Sequence, residues 1–499
     1  MFPCSKNIGD SVKLFLIVIG KILSALQLIA GIVLLVAISS LQLLPTEYLI
    51  VAGCVFVALS GLVMFLTWSG RGKVRMAVGI ILSALLIFTC SCGTVYVQKT
   101  RNAFDSISSG NEIVHIGIYV RKDCFEEYSI SAKDYHYGFL KDMDKENTNA
   151  VVQQMTDFFG AAPSLQPCAT LPALIDSLLN AEVDAIILNQ AYLDILQEMD
   201  GYKDILEHIC EVELKRIEIK PEPTLPKEEE PTSDSTKPFG IYISGIDARG
   251  SVSVRSRSDV NILAVVNPKT HQVLLISTPR DYYIPLSISN GIPDKLTHAG
   301  IYGINVSKDT LSMLYGVEMD YYFRINFSGF EKLINALGGI TVHSDYTFKA
   351  DKGRYQIYKG ENVMDGRTAL AFCRERYALS GGDRARGKHQ MAVIQGVIKK
   401  ALSPALLKNY NSVLNAVEGC FETSIPLELL GNLITQQLKD GKDWNIVTYS
   451  VNGTGDYQIP YSMSMKAYVM QPDYATVENA KVLIQKVYDG EILENIKTN

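Results

Sequence analysis

The chain has 499 residues, too many for one ordinary domain, and its formal charge of −6 argues against a nucleic-acid-binding surface over the whole chain. It shows no helix-turn-helix pattern and no zinc-ligand spacing, so DNA reading and a structural zinc site are not expected. Of its nine cysteines, the five beyond residue 100 are odd in number and show no short paired spacing, which points to small buried apolar residues rather than a disulfide framework or metal site.

Three long apolar runs open the chain, Ile22 to Leu44, Leu49 to Trp68 and Met76 to Tyr96. Each is long enough to cross about 30 Å of hydrocarbon as a helix. Lys6, Lys13 and Lys21 precede the first run, and Arg71, Lys73 and Arg75 lie between the second and third, while the first loop has neither Lys nor Arg. Positive loops resist translocation, so a cytoplasmic N-terminus is expected, with everything after residue 100 outside the membrane. A cleaved signal peptide fits poorly, because the first run is long and two more spans follow.

Residues 105–218 form the next expected unit. IVHIGIYV has strand character, and LPALIDSLLNAEVDAIILNQAYLDILQEM alternates helix, short strand and helix. That alternation predicts a small α/β accessory domain with some parallel pairing. It carries no cluster of nucleophile, base or phosphate loop, so it reads as an accessory or spacing domain. Residues 219–238 are rich in Pro, Glu, Ser and Thr, as in KPEPTLPKEEEPTSDSTKP, and read as a linker without a core.

Residues 239–499 are expected to form the largest domain. FGIYISGID, VNILAVVN, HQVLLIST, YYFRIN and GITVHS are strand candidates, Ser307 to Tyr315 and Phe330 to Leu337 are helical, and Gly338-Gly339 closes the second helix. GRTALAFCRERY and RARGKHQMAVIQGVIKKAL read as helices, and NIVTYSV with TVENAKVLIQKVYDGE completes the domain. Strands with helices interleaved and then trailing predict an α/β/α sandwich.

Charge concentrates in this domain where strands end, in GIDAR (Gly245 to Arg249), RSRSD (Arg255 to Asp259), STPRD (Ser277 to Asp281), and RERY with GGDRARGKHQ (Arg374 to Tyr377, Gly381 to Gln390). Strand ends of open α/β sheets are common ligand sites. The planar fork of arginine suits phosphate oxygens, and carboxylates beside such arginines make sense if a divalent cation bridges them to a pyrophosphate. One Asp-Arg pair alone would read as a structural ion pair, whereas four segments together favour a ligand site.

At these residues, over about Phe239 to Pro404, the sequence resembles the LytR-CpsA-Psr proteins of bacterial envelopes. The segments recur in the family's order, with RxRY followed by DxxR and a nearby Gln. The three-span anchor, intermediate domain and linker resemble the CpsA-like subgroup associated with capsule synthesis. The resemblance implies a phosphotransferase of capsular or teichoic-acid-like polymer. It would move a glycan-1-phosphate from undecaprenyl pyrophosphate to a peptidoglycan sugar hydroxyl, with Mg²⁺ as cofactor, at the membrane and without nucleic acid. Carried over by motif, Asp247 and Asp259 are the metal and pyrophosphate-organising carboxylates, and Arg257, Arg280, Arg374 and Arg376 the pyrophosphate clamp. Arg386 and Gln390 match the last basic and amide positions, with Asp383 nearby; the catalytic set implied is Asp259, Arg280, Asp383 and Arg386. Where many relatives carry Arg before that Gln, this chain has His389, which reads as a satisfied surface or packing residue rather than a catalytic base. For Arg374 and Arg376 to share a ligand, the helix beginning near Asp365 must end by about Cys373, since residues two apart diverge by about 200° on a helix. The competing readings are a carrier-lipid binding protein or pyrophosphatase, and an indirect attenuator of polysaccharide synthesis.

Overall fold

The computed structural model describes residues 5–41, 46–68, 72–108, 110–126, 132–219, 236–246, 251–376, 382–403, 413 and 419–494. The chain divides into two compact units. The first holds three N-terminal helices, α1 (Ser5–Leu41), α2 (Thr46–Trp68) and α3 (Lys73–Ile107), together with the helix Leu427–Asp440. Segments Leu14–Ser40, Glu47–Trp68 and Val74–Ile107 are long and apolar enough to cross a membrane. The helix α1 begins at Ser5 rather than at Ile22, because a helix continues into polar residues beyond the hydrocarbon wherever these keep reasonable helix propensity. Small residues let the helices approach: a Cβ on Gly31 would lie 1.9 Å from Phe56 Cζ. Ser83 Oγ donates to Gln27 Oε1 at 2.7 Å, the kind of polar contact that joins helices in an apolar medium.

The second unit contains two sheet regions. The first is built from β1 (Glu112–Arg121), β2 (His136–Leu140), α4 (Lys145–Phe159), β3 (Ser164–Cys168), α5 (Leu171–Leu179), β4 (Ala185–Asn189), α6 (Ala191–Leu196) and β5 (Ile209–Ile219). The strand order is β3-β2-β4-β1-β5. β2 runs parallel to both β3 and β4, the parallel pairing expected from the helix-strand alternation, whereas β1 is antiparallel to β4 and β5. The helix α5 starts where Thr170 Oγ1 accepts from the Ala173 amide at 3.3 Å, with Pro172 in its first turn. Leu174, Ile175 and Leu178 then fall on one face and are fully buried.

The second sheet region follows in the order β6 (Phe239–Ile246), β7 (Ser258–Asn267), β8 (Gln272–Thr278), β9 (Tyr283–Pro285), β10 (Pro293–Lys295), a 3₁₀ turn Leu296–Ile301, α7 (Ile304–Tyr315), β11 (Tyr321–Asn326) and α8 (Phe327–Ala336). It continues through β12 (Ile340–Ser344), β13 (Phe348–Ala350), β14 (Tyr355–Ile357), β15 (Gly360–Met364), α9 (Gly366–Arg374), α10 (Gly382–Ala401), β16 (Phe421–Thr423), β17 (Asn445–Ser450), β18 (Gly453–Gln458), β19 (Ala467–Pro472) and α11 (Tyr474–Tyr488). The main sheet has the order β16-β11-β6-β7-β8-β17, with β11 parallel to β6, β17 parallel to β8 and the other pairs antiparallel.

Side chains alternate across a strand, and that alternation sorts the layers. Leu263, Val265, Leu274 and Ile276 pack with Leu311 and Tyr315 of α7 and with Val477, Ala480 and Ile484 of α11 on one face. Ser277, one residue on, points to the opposite face, where a Cβ on Gly387 of α10 would lie 2.6 Å from its Oγ. Helices therefore cover both faces, giving the expected α/β/α sandwich around a mixed sheet. GITVHS is a strand as read from sequence, but it pairs with β15 in a separate two-stranded ribbon and not in the main sheet.

Candidate active site

The antiparallel pairing of β7 with β8 fixes the site. Asn261 opposes Thr278, so the start of β7 and the end of β8 share one sheet edge. The parallel strand β17 brings its own end there, with Ser450 opposite Ser277. Ile246, the last residue of β6, opposes Ser258 at the same edge. Asp247 follows it in sequence and lies outside the described residues.

At that edge a small cleft is lined by Asp259, Arg280, Arg386 and Gln390 together with Ser277, Thr278, Gly387 and Ser450. Four of the residues singled out from the sequence thus converge from β7, the turn after β8 and helix α10. Gly387 lets α10 cross the end of β8 closely enough to deliver Arg386 and Gln390. Arg386 and Gln390 lie four apart, on one helix face. Arg386 and Gln390 are 6% and 9% exposed, so the helix presents two largely buried polar side chains to the cleft. Asp383 falls in the first turn of α10, and its side chain lies outside the described residues.

Arg280 is the electrostatic centre. Its Nη1 donates to Asp259 Oδ1 at 2.8 Å, and Asp281 Oδ2 lies 3.6 Å from its Nε. Burial opposes the guanidinium charge, but Asp259 and Asp281 outweigh that and raise its pKa above the ordinary arginine value. Its Nε is nevertheless buried without a hydrogen-bond acceptor among the described residues. A buried charged donor left open in this way suits an anionic ligand oxygen. Both hydrogen bonds that Asp259 accepts among the described residues, from Arg280 and from Thr297 Oγ1 at 3.4 Å, land on Oδ1. Oδ2 accepts no hydrogen bond among the described residues. No group of three or more His, Cys, Asp or Glu side chains with metal-ligand geometry occurs among the described residues.

The remaining arginines read as a clamp are placed differently. Arg257 turns toward the first sheet region, its Nη1 2.6 Å from Glu198 Oε1 and its Nε 3.4 Å from Asp194 Oδ2. Helix α9 ends at Arg374, one residue beyond the expected end, with Glu375 extended at φ −67° and ψ 127°. Being the last helical residue, Arg374 does not share an extended segment with Arg376. Its guanidinium carbon instead lies 4.6 Å from the ring centre of Phe327. Arg376 is half-buried, and its backbone amide donates to Glu375 Oε1 at 3.1 Å. Neither Arg374 nor Arg376 lines the cleft formed by Asp259, Arg280 and Arg386.

His389 is 7% exposed and packs in a three-ring cluster with Phe372 and Phe348, with ring centres 4.1 Å and 5.3 Å away. Its Nδ1–H donates to the Phe372 carbonyl at 3.1 Å. Burial holds its pKa down at about 4, so it stays neutral at pH 7, as a packing residue would.

The sequence reading did not single out Lys295 or Glu198, which form an ion pair beside Asp281. Lys295 Nζ lies 2.5 Å from Glu198 Oε2 and 4.0 Å from Asp281 Oδ1. Neither residue carries a motif; what joins them is the meeting of two sheet regions.

Compared with known proteins, the sequence profile of the LytR_cpsA_psr family matches residues 211–481. The chain belongs to the LytR-CpsA-Psr family. It is similar to proteins named polyisoprenyl-teichoic acid–peptidoglycan teichoic acid transferase TagU. One, from Enterococcus faecalis (strain ATCC 700802 / V583), is 34% identical over 197 residues, which is 39% of this chain and 64% of that protein. Another, from Bacillus subtilis (strain 168), is 30% identical over 256 residues, 51% of this chain and 81% of that protein. The match thus spans less than two thirds of the Enterococcus relative. Similar solved structures include B. subtilis TagU, at 28% identity, 52% of this chain, 100% of that chain and a TM-score of 0.41. A structure described as TagT bound to LI-WTA is 25% identical over 53% of this chain and 95% of that chain, with a TM-score of 0.41.

Proposed function

We propose that this family member transfers a glycan-1-phosphate from a polyprenyl pyrophosphate to a sugar hydroxyl of peptidoglycan. The observation that carries the reading is the convergence of Asp259, Arg280, Arg386 and Gln390 on one cleft, with a buried Arg280 donor still open. The names of the relatives support the reading, since those proteins are teichoic acid transferases. The three apolar helices, an intermediate sheet domain and a Pro/Glu-rich linker fit a CpsA-like, capsule-type polymer as well as a teichoic acid. The loop charges support a cytoplasmic N-terminus with the second unit outside the membrane, where lipid-linked glycan and wall meet.

In this reaction the acceptor hydroxyl oxygen attacks the phosphorus that bears the glycan, and its proton passes to solvent. The bond from that phosphorus to the bridging oxygen breaks, and polyprenyl phosphate leaves with the electron pair. Such transfers depend mostly on alignment and on stabilising charge at the phosphoryl oxygens. Arg280 and Arg386 would hold pyrophosphate oxygens through their planar forks, and Gln390 would donate its amide. Asp259 would keep Arg280 oriented through the bond at 2.8 Å. Mg²⁺ takes as few as one or two protein carboxylates, so Asp259, with Asp247, fits the role of holding it. When bound, it would neutralise pyrophosphate charge.

The test is incubation of the full chain with a radiolabelled polyprenyl-pyrophosphate glycan and peptidoglycan. Label should become wall-bound and should stay with the lipid when Arg280 is replaced by Ala. Label released to solution would make the protein a pyrophosphatase, and label left on the lipid by the wild type would make it a binding protein.

A further inference from the structure

The ion pairs at the cleft do not stop at Arg280. From Asp259 they run to Arg280 (2.8 Å), Asp281 (3.6 Å), Lys295 (4.0 Å), Glu198 (2.5 Å), Arg257 (2.6 Å) and Asp194 (3.4 Å), with charge alternating at every link. The chain begins in the transferase cleft and ends on α6 of the first sheet region. It is sheltered up to its last member: the side chains of Lys295, Asp281, Asp259, Arg280, Arg257 and Glu198 are 4%, 13%, 15%, 16%, 18% and 18% exposed, and only Asp194 at the far end is more exposed, at 41%. Charges so far removed from water interact strongly and tolerate few alternative arrangements.

Glu198 is the junction. One carboxylate oxygen takes Arg257 and the other takes Lys295, while His298 Nε2 lies 3.9 Å away. Burial opposes its ionisation, but His298, Lys295 and Arg257 outweigh it and lower its pKa to about 2, so it is a carboxylate throughout the neutral range. Lys295 is bound from one side by Glu198 and faces Asp281 on the other. Losing Glu198 would free Lys295 to move toward Asp281 and loosen the carboxylate that flanks the Arg280 Nε.

We propose that Glu198 is a positioning residue of the transfer site, supplied by the accessory sheet domain, that fixes the Arg280 guanidinium through Lys295 and Asp281. The proposal rests on the cleft being the site of transfer, and it makes the accessory domain part of the enzyme's machinery instead of a spacer. It also explains why Arg257 stays off the cleft, since the same carboxylate holds it.

A second junction between the two sheet regions supplies the control. Glu112 pairs with Arg255 and Arg324, each at 2.8 Å, and Arg324 pairs with Glu422 at 2.5 Å; none of these is a member of the chain to Arg280. In the full chain, Glu198→Gln and Glu112→Gln should both lower the melting temperature, because each leaves buried cations uncompensated. Only Glu198→Gln should change the cleft. Labelling of Arg280 by phenylglyoxal, read by mass spectrometry without any substrate, should speed up about threefold or more in Glu198→Gln and stay at the wild-type rate in Glu112→Gln. Transfer kcat at a temperature where both variants are folded should fall about tenfold in Glu198→Gln and stay within about twofold in Glu112→Gln. If Glu198→Gln does not fold, Lys295→Gln cuts the same chain one link on and should give the same two results. Unchanged Arg280 labelling, or equal effects of the two Glu variants, overturns the proposal. Changed labelling with no transfer by the wild type upholds the positioning role and overturns only the transferase reading.

Discussion

Asp259 holds Arg280 by one oxygen, and that single contact decides what substitutions at the cleft should do. An Arg280→Lys variant keeps the positive charge but loses the planar fork that reaches Asp259 and a ligand oxygen together. Transfer should therefore fall by on the order of 10² to 10³, nearly as far as in Arg280→Ala. Near-normal transfer by the Lys variant would mean that Arg280 supplies only a positive field. His389 makes a different kind of prediction. Its folded pKa of about 4 lies below the ordinary value of 6.5, so its contribution to stability is complete above pH 6.5 and is lost as pH falls toward 4. Over that window the loss is on the order of 3 kcal/mol, at about 1.4 kcal/mol per pH unit. Denaturant melts should show this slope in the wild type and lack it in His389→Phe, which keeps the aromatic stack. A slope that survives the substitution would place the acid sensitivity elsewhere.

Among the elements, the 3₁₀ turn Leu296–Ile301 is the tightest support of the site. A Cβ on Gly300 would lie 2.5 Å from the Ser256 carbonyl oxygen and 2.9 Å from the Ser258 amide, backbone atoms that cannot swing aside. Gly300→Ala should displace the segment carrying Arg257 and Asp259 and cost about 1–3 kcal/mol, measurable as a lower melting temperature. A melt identical to wild type would show that the turn gives way without strain. The strands β6, β7 and β8 were legible because they are mostly buried on both faces and read as largely apolar runs. β5 was not: in ICEVELKRIEI the alternation breaks at the adjacent Lys215 and Arg216, and Leu214 is exposed while Glu213 and Lys215 are half-buried, so no apolar run or clean period marks it. The short ribbons β9–β10 and β13–β14 have strands of three residues, too few for any periodicity to show. Site residues on the ends of strong strands, Asp259 and Arg280, were legible for the same reason as the strands. The pairing of Arg257 with Glu198 was not, since it joins residues 59 apart in loops of two different sheet regions.

Across the whole molecule, three apolar helices precede a unit in which two sheet regions share buried ion pairs. On the proposed topology, with the N-terminus in the cytoplasm, a reporter fused after Asn499 should work only if it functions outside the membrane. Cytoplasmic reporter activity would remove the carrier lipid's glycan and the wall from reach, and most of the proposed function with them. The cleft itself can be tested without turnover. A structure of the full chain in detergent with a polyprenyl pyrophosphate and Mg²⁺ should show pyrophosphate oxygens within hydrogen-bonding distance of Arg280 and Arg386, at the edge where β7 starts and β8 ends. Pyrophosphate bound anywhere else, with that cleft left to solvent, would contradict the assignment of the site.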